Sequence, residues 1–188
     1  TNNAAGFEVQ QTDGTSILKI AAGTPAATLV GDLTVTGNST FTTADNTDTL
    51  TLISTDTDAN SGPNLRLYRN QGTSEGDDDF IGTIEFEGRN DNSQDVIFGS
   101  IYNYSTDVSD GEEDGSMYIK TMLAGTLRNT VSLLPTEVVF NDEGQDVDFR
   151  VEGSGAANAL FVQGSDGNVG IGQSSPTSPN DATDFLHI

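Results

Sequence analysis

The sequence contains no cysteine and no tryptophan, and its single histidine is His187. Without cysteine there is no disulfide, no thiol nucleophile and no cysteine zinc site, so the sequence does not indicate a redox compartment. A Ser-His-Asp triad or a zinc centre would have to be built around one histidine, which excludes both in practice. We interpret His187 as an ordinary strand residue.

Positive charge is also scarce. The chain has 7 Lys and Arg against 29 Asp and Glu, a formal net charge of -22. Phosphate contacts need clustered Lys and Arg, and the few present are scattered between Lys19 and Arg150, so we expect no binding to nucleic acid or to an anionic membrane. No apolar run approaches the roughly 18 residues of a membrane span, and residues 1–4 lack a signal-peptide profile. The sequence starts without methionine, from which we expect a processed or excerpted chain.

Large apolar residues are few as well. Leu, Ile, Val and Phe number 13, 10, 12 and 9, or 44 of 188 residues. This share of roughly 23% lies just above the roughly 20% below which a highly charged chain is expected to be disordered. Repulsion among the carboxylates also opposes compaction at low salt. We therefore expect one domain, or two small ones, folded around a thin core.

What the sequence does contain is alternation. Apolar and polar residues alternate with period two between clusters of Gly, Asn, Asp and Thr, whereas helical periodicity is nearly absent. This pattern predicts an all-β fold. The predicted strands span residues 7–11, 17–21, 33–36, 50–54, 64–69, 81–87, 96–104, 117–123, 130–134, 137–140, 147–151, 160–163 and 168–171.

The lengths of these strands divide the chain into three zones. Strands are short and rich in threonine in residues 1–45, lengthen in 46–135, and shorten again in 136–188. We expect the two outer zones to form β shaft segments. The middle zone is predicted to form a globular knob with a β-sandwich or barrel-like fold.

The most informative segment is 161–172, in which two very short strands flank Asp166-Gly167. An Asp-Gly pair is a strong hairpin signal, because glycine accepts the positive φ that such turns require. Val169 and Ile171 alternate with glycines and point to one face, which needs a cover. A weak copy of residues 160–167 occurs at 7–14, and two copies indicate a reused unit, not a solenoid.

Oligomerisation is the simplest way to cover such faces. Each of these short-stranded segments has too few apolar residues to bury its own apolar face. We therefore expect identical chains to cover one another's apolar faces. A closed cyclic homotrimer is the predicted assembly.

Two segments resemble phage tail fibres and tailspikes. The block made of residues 151–162, 167–176 and 185–188, with Gly-Asn-Val-Gly-Ile-Gly at its centre, is similar to a segment common in these proteins, and residues 29–38 are similar to their shaft segments. The resemblance implies an intertwined homotrimeric β fibre on the virion surface, as a tail fibre, spike or head fibre. In many relatives such a segment precedes a chaperone domain of the endosialidase type.

A fibre of this kind is expected to contact other virion proteins. Its knob contacts either a host-surface glycan or protein, or only neighbouring virion proteins, and the sequence does not choose between these. The candidate recognition loops are residues 72–79 and 106–115, since loops carry recognition when a rigid sheet positions them. We expect a structural protein and no enzyme, and we assign no catalytic, cofactor-binding or metal-binding residue.

One alternative is a tailspike that cleaves glycans. Glu85 and Glu87 lie two apart on a predicted strand, which places both carboxyl groups on one face about 7 Å apart, within the about 5–9.5 Å that glycoside hydrolysis requires. A simpler interpretation, which we favour, is a solvent-facing stripe on a strand whose other face carries Ile84 and Phe86. The sequence also offers two aromatic residues for stacking on a sugar, Tyr102 and Tyr104.

A second alternative is a secreted bacterial adhesin stabilised by calcium. The acidic runs at 77–79 and 110–114 place many hard oxygen ligands on loops, as calcium prefers. Asp110, Glu112 and Asp114 follow the opening of a calcium loop. The twelfth position, however, is Thr121, where such a loop needs a bidentate Glu. We favour solvated turns.

Overall fold

The computed structural model describes residues 32–60, 62–72 and 76–177, together with the backbone of the strand Leu186–His187. The chain divides into two units, Thr1–Asn64 and Leu65–Ile188. The strands predicted at 7–11 and 17–21, and with them the first copy of the repeat, lie outside the described residues. The division into zones 1–45, 46–135 and 136–188 stays a prediction.

The second unit is all-β, as predicted. Its first sheet has five antiparallel strands in the order β1-β2-β3-β4-β5, so that each strand pairs with its neighbour in sequence. The long alternating segments of the sequence form this sheet, because short connections bring each strand to the next. The strands are β1 Asp79–Arg89, β2 Asp95–Asp107, β3 Asp114–Leu123, β4 Thr126–Leu133 and β5 Val138–Phe140.

The sheet is open, with β1 and β5 at its edges. A two-residue turn, Ala124-Gly125, joins β3 to β4, and both residues have positive φ, 46° and 80°. Positive φ at both positions marks a type I′ turn, whose twist matches that of the flanking strands. Bulges interrupt the pairing at several points, including one between Ile119 and Lys120.

A second sheet follows, in the order β6-β7-β8-β9, where β6 is Phe149–Gly153, β7 Ala156–Val162, β8 Val169–Gly170 and β9 Leu186–His187. The predicted hairpin is confirmed: β7 and β8 pair antiparallel, and Gly167 in the connection has φ 75°. β8 and β9 pair in parallel, with His187 opposite Gly170. The interpretation of His187 as a strand residue is therefore confirmed.

The strands predicted at 33–36, 50–54 and 64–69 are wrong, since the backbone there is assigned to no strand. A strand needs a hydrogen-bonded ladder to a neighbour, and no sheet among the described residues includes these segments. Their apolar side chains are exposed, for example Leu33 by 65% and Leu50 by 57%. Local alternation alone therefore did not make these segments part of a described sheet.

The core of the described residues is thin, as expected. The buried apolar side chains there are Tyr102, Phe161 and Pro176, at 8%, 6% and less than 2% exposure, whereas 22 large apolar side chains are exposed. Nowhere in the described ranges does the chain form a helix of the length and apolarity needed to cross a membrane.

Candidate functional site

One face of the five-stranded sheet carries an unbroken apolar row. Residues directly opposite each other on paired strands share a face. The register aligns one apolar residue from every strand, namely Ile84, Ile101, Ile119, Val131 and Phe140. Neighbouring rows of the same face add Phe86, Met117, Leu133 and Val138. These nine residues are called the apolar face below.

The apolar face is open to solvent in the single chain. Phe86, Val138 and Phe140 are 59%, 57% and 52% exposed, and Ile119, on the central strand, is still 37% exposed. Seven of its nine side chains are more than a third exposed. A contiguous exposed apolar patch of this kind marks a contact surface.

The opposite face carries an aromatic cluster of Phe80, Tyr102, Tyr104 and Tyr118. Phe80, Tyr102 and Tyr118 form a stack, with ring centroids 5.3 and 4.9 Å apart and interplanar angles of 15° and 12°. Tyr104 meets Phe80 and Tyr102 edge-on, at 4.7 and 5.6 Å. Because Phe80 and Tyr118 flank Tyr102 from the two neighbouring strands, both faces of the Tyr102 ring are occupied.

A short, fully covered side chain lies beside the stack. Ser132 lies directly opposite Tyr118 on β4 and is 0% exposed. Its hydroxyl donates to Oδ2 of Asp142 at 3.1 Å. The space beside the stack on β4 is therefore filled, whereas Tyr118 itself is half-buried and Tyr102 is buried.

Polar groups surround the buried tyrosine. The Tyr102 hydroxyl donates to Oδ1 of Asn129 at 3.2 Å, and Nζ of Lys120 lies 4.8 Å from the Tyr102 ring centroid. Burial, followed by the neighbouring Tyr104 and Tyr118 hydroxyls and by the carboxylates after β5, raises the pKa of Tyr102 to about 12. Tyr102 is therefore a neutral hydrogen-bond donor at physiological pH.

A cleft of about 420 Å³ opens above this cluster. This volume is within the about 300–1,000 Å³ of small-molecule sites. Three rings, two carboxylates, an amide and a hydroxyl line it, from Asp78, Tyr102, Tyr104, Thr106, Tyr118, Asn129 and Asp142.

The two predicted recognition loops meet at this cleft. Asp77, in the loop before β1, accepts a hydrogen bond from the backbone N–H of Val108, in the loop after β2, at 3.1 Å. The two loops adjoin because Asp79 and Ser105, at the ends of β1 and β2, are paired in the sheet. Asp78 of the first loop and Thr106, at the end of β2, then line the cleft.

The predicted carboxylate pair lies elsewhere on the sheet. Glu85 is opposite Ser100, on the face of the aromatic cluster, and the bulge beside Glu87 places its extra residue, Phe98, on β2. Both glutamates are exposed. The other half of the favoured interpretation is confirmed, since Ile84 and Phe86 belong to the apolar face.

The acidic loops use their carboxylates locally. Asp79 accepts hydrogen bonds from the N–H of Gly76 at 3.0 Å and from Nε2 of Gln71 at 2.6 Å. These bonds, in that order, and the Arg69 guanidinium hold the pKa of Asp79 below its ordinary value of 3.8. Among the described residues, no three His, Cys, Asp or Glu side chains come together as metal ligands would.

The segment 161–172, called the C-terminal motif below, forms a tight structural unit. Asn168 is 4% exposed and its Nδ2 donates to Oδ2 of Asp166 at 2.8 Å and to the carbonyl of Pro176 at 3.5 Å. Gly164 passes so close to the backbone of Val147 that an added Cβ would lie 2.3 Å from its nitrogen. The glycines and the asparagine of the motif therefore have conformational and packing roles.

Sequence patterns identified part of the cleft. Tyr102 and Tyr104 were found through their spacing of two, and the loops through their composition. Tyr118, Asn129 and Asp142 were missed because their proximity depends on the register of β2, β3 and β4 and on the loop after β5. The spacing of Ser116 and Tyr118, which repeats that of Ser100 and Tyr102, was the one local signal available.

Comparison with known proteins gives no match: no family model fits the sequence, and neither a curated protein nor a solved structure is similar to the chain. Function therefore has to be argued from the two faces of the sheet.

Proposed function

We propose that this chain is a structural segment of a homotrimeric, intertwined β fibre on the surface of a virion. The observation that carries the proposal is the apolar face. Seven of its nine side chains are more than a third exposed and lie next to one another in paired strands, so the face has the character of an interface that lacks its partner. A second and a third copy of the same chain are the occupants we propose.

We infer that the occupant is a copy of the same chain, because both units have apolar side chains that are left uncovered. Leu33, Val35, Leu50 and Leu52 alternate with polar residues on segments that have no strand partner among the described residues, and they are 46–65% exposed. Strands that lack a partner within one chain can pair with the corresponding strands of other copies. Chains whose strands pair in this way are intertwined. Such pairing supports the resemblance of residues 29–38 to shaft segments.

Symmetry supports a closed ring of copies. Three open sheets arranged about an axis, each with its apolar face inward, would form the sandwich-like or barrel-like core that one open sheet lacks. The net charge of -22 per copy opposes open-ended aggregation, because repulsion grows with every added chain. The polar faces would remain outside, where a fibre contacts other virion proteins and the host surface.

We propose no catalytic role for the exposed Glu85 and Glu87. If the chain cleaved glycans through this pair, Glu85→Gln or Glu87→Gln would abolish release of reducing sugar from host polysaccharide. We expect the wild-type protein and both variants to release none.

The decisive experiment is the mass in solution at micromolar concentration, measured by light scattering after size exclusion. Three copies of 19.7 kDa predict about 59 kDa. Phe86→Lys and Phe140→Lys place a charge on the apolar face at positions exposed enough for a single subunit to tolerate it. We expect these variants to lose the trimer, and Thr83→Lys, on the opposite face, to keep it. A wild-type monomer, or trimers that survive both apolar-face variants, would overturn the proposal.

A further inference from the structure

We infer that the cleft over the aromatic cluster binds a neutral carbohydrate. The inference deepens the proposed function, because it names the ligand class for the attachment role and takes its biological setting from it. The site itself lies within one subunit, on the face of the sheet opposite the apolar face.

The ring of Tyr118 supplies the stacking surface. It is stacked on Tyr102 at 4.9 Å, it lines the cleft, and it is only half-buried, whereas Tyr102 is 8% exposed. Tyr102 has no free face, so the earlier idea of sugar stacking on Tyr102 is replaced by stacking on Tyr118. A sugar ring presents an apolar C–H face that fits such a surface.

The rim of the cleft supplies paired donors and acceptors. The carboxylate of Asp142 is held by the Ser132 hydroxyl at 3.1 Å, and the Oδ1 of Asn129 is held by the Tyr102 hydroxyl at 3.2 Å. Each group keeps further capacity, since a carboxylate has about four acceptor sites and the Asn129 amide retains two N–H donors. Acceptors and donors at fixed positions match the hydroxyls of a sugar, each of which both donates and accepts.

Charge selects against the other ligand classes. Asp78 and Asp142 line the cleft on a chain of charge -22, which disfavours a sulfated, phosphorylated or sialylated ligand. Aromatic rings with carboxylates also suit a quaternary ammonium. Here, however, Lys120 already places its ammonium 4.8 Å from the Tyr102 ring centroid, so the cluster carries its own cation. A neutral ligand with hydroxyl groups remains.

The absence of tryptophan makes the test direct. The chain has 4 tyrosines, and three of them line the cleft, so in a Tyr68→Phe background intrinsic fluorescence reports on this site alone. The probes are maltose, lactose and chitobiose as neutral sugars, 3′-sialyllactose as an anion and tetramethylammonium as a cation. We expect a saturable fluorescence change with at least one neutral disaccharide at millimolar concentration and none with the two charged probes.

Variants locate the site. Tyr118→Leu removes the stacking face, and Asp142→Asn removes the charge while keeping an acceptor for Ser132. Each variant is expected to raise the dissociation constant about tenfold or more. Asp91→Asn, in the exposed turn between β1 and β2, is the matched control and should leave the dissociation constant unchanged. No saturation by any neutral probe up to about 50 mM, saturation by a charged probe only, or an equal loss in the control would overturn the inference.

The mass measurement on the same samples separates the two proposals. A monomer that binds the sugar would end the fibre proposal and keep the site. A trimer that binds no neutral sugar would end the site and keep the fibre.

Discussion

Nη1 of Arg128 lies 2.6 Å from Oε2 of Glu143, while Oε1 of the same carboxylate accepts the backbone N–H of Asn129 at 3.1 Å. This one side chain ties the loop after β5 back to β4. Asp142, the preceding residue, is thereby held at the rim of the cleft. The geometry of the proposed sugar site thus depends on a salt bridge that lies beside it.

This salt bridge predicts acid sensitivity. The hydrogen bond from Arg128, followed by that from the Asn129 N–H, holds the pKa of Glu143 below its ordinary value of 4.5. A carboxyl with a depressed pKa in the folded state contributes its full stability above pH 4.5 and loses it as the pH falls through the folded value. Glu143→Gln should therefore lower the free energy of unfolding at neutral pH, and it should lower it by a smaller amount at about pH 3.

The measurement is urea unfolding of both proteins at fixed concentration over this pH range. Arg128→Met removes the other partner of the salt bridge. It should reduce, in the same way, the fall in the free energy of unfolding as the pH is lowered. A difference between wild type and Glu143→Gln that stays constant with pH would contradict the prediction.

Tyr102 predicts a loss of stability at alkaline pH. Its burial raises its pKa from 10.0 to about 12, so the folded state holds the phenol proton more tightly than the unfolded chain. The stability that follows is complete below pH 10, declines above it and is lost once the pH passes the folded value. Tyr102→Phe should remove this decline together with the ultraviolet titration step near pH 12. Persistence of that step in the variant would assign it to another tyrosine.

The β3–β4 turn can be improved by one substitution. Ala124 has φ 46° at the first position of a type I′ turn, where a residue with a Cβ other than Asn or Asp is disfavoured. Ala124→Asn is expected to stabilise the protein by about 0.5–1 kcal/mol. Gly125→Ala, at φ 80°, should destabilise it by about 1–2 kcal/mol. Thermal melting at equal concentrations measures both, and a lower melting temperature for Ala124→Asn would refute the turn assignment.

The sheet shows which parts of a fold local pattern can specify. The predicted strands at 81–87, 96–104 and 117–123 all lie within β1, β2 and β3, because short connections bring each one to its neighbour. Residues 33–36 alternate just as clearly, yet they form no strand in the single chain. Alternation specifies the face that a side chain takes, whereas pairing depends on a partner that the local sequence does not encode.

The cleft shows the same limit. The spacing of Tyr102 and Tyr104 was visible in the sequence, but the stack requires Tyr118 to lie opposite Tyr102. The position of Asp142 depends further on Asn141, whose φ of 60° and hydrogen bonds to Gln145 shape the loop. Register and loop conformation are long-range properties, and the site is built from both.

The C-terminal motif predicts a contrast between two glycines. A Cβ on Gly164 would lie 2.3 Å from the Val147 nitrogen, and the Gly164 N–H donates to Oδ1 of Asp148 at 2.9 Å. Backbone cannot yield as a flexible side chain does, so Gly164→Ala must displace one chain segment from the other. We expect a loss of at least about 2 kcal/mol, in the range of overpacked cores.

Gly153→Ala is the matched control in the same sheet, because the nearest atom to its added Cβ is 3.7 Å away, an ordinary contact. It should cost less than about 1 kcal/mol. Urea unfolding at one protein concentration compares the two, and circular dichroism checks that each variant keeps its β content. Equal losses would mean that the close approach of Gly164 to Val147 does not limit stability, and that the motif's glycine at this position serves only the flexibility of its turn.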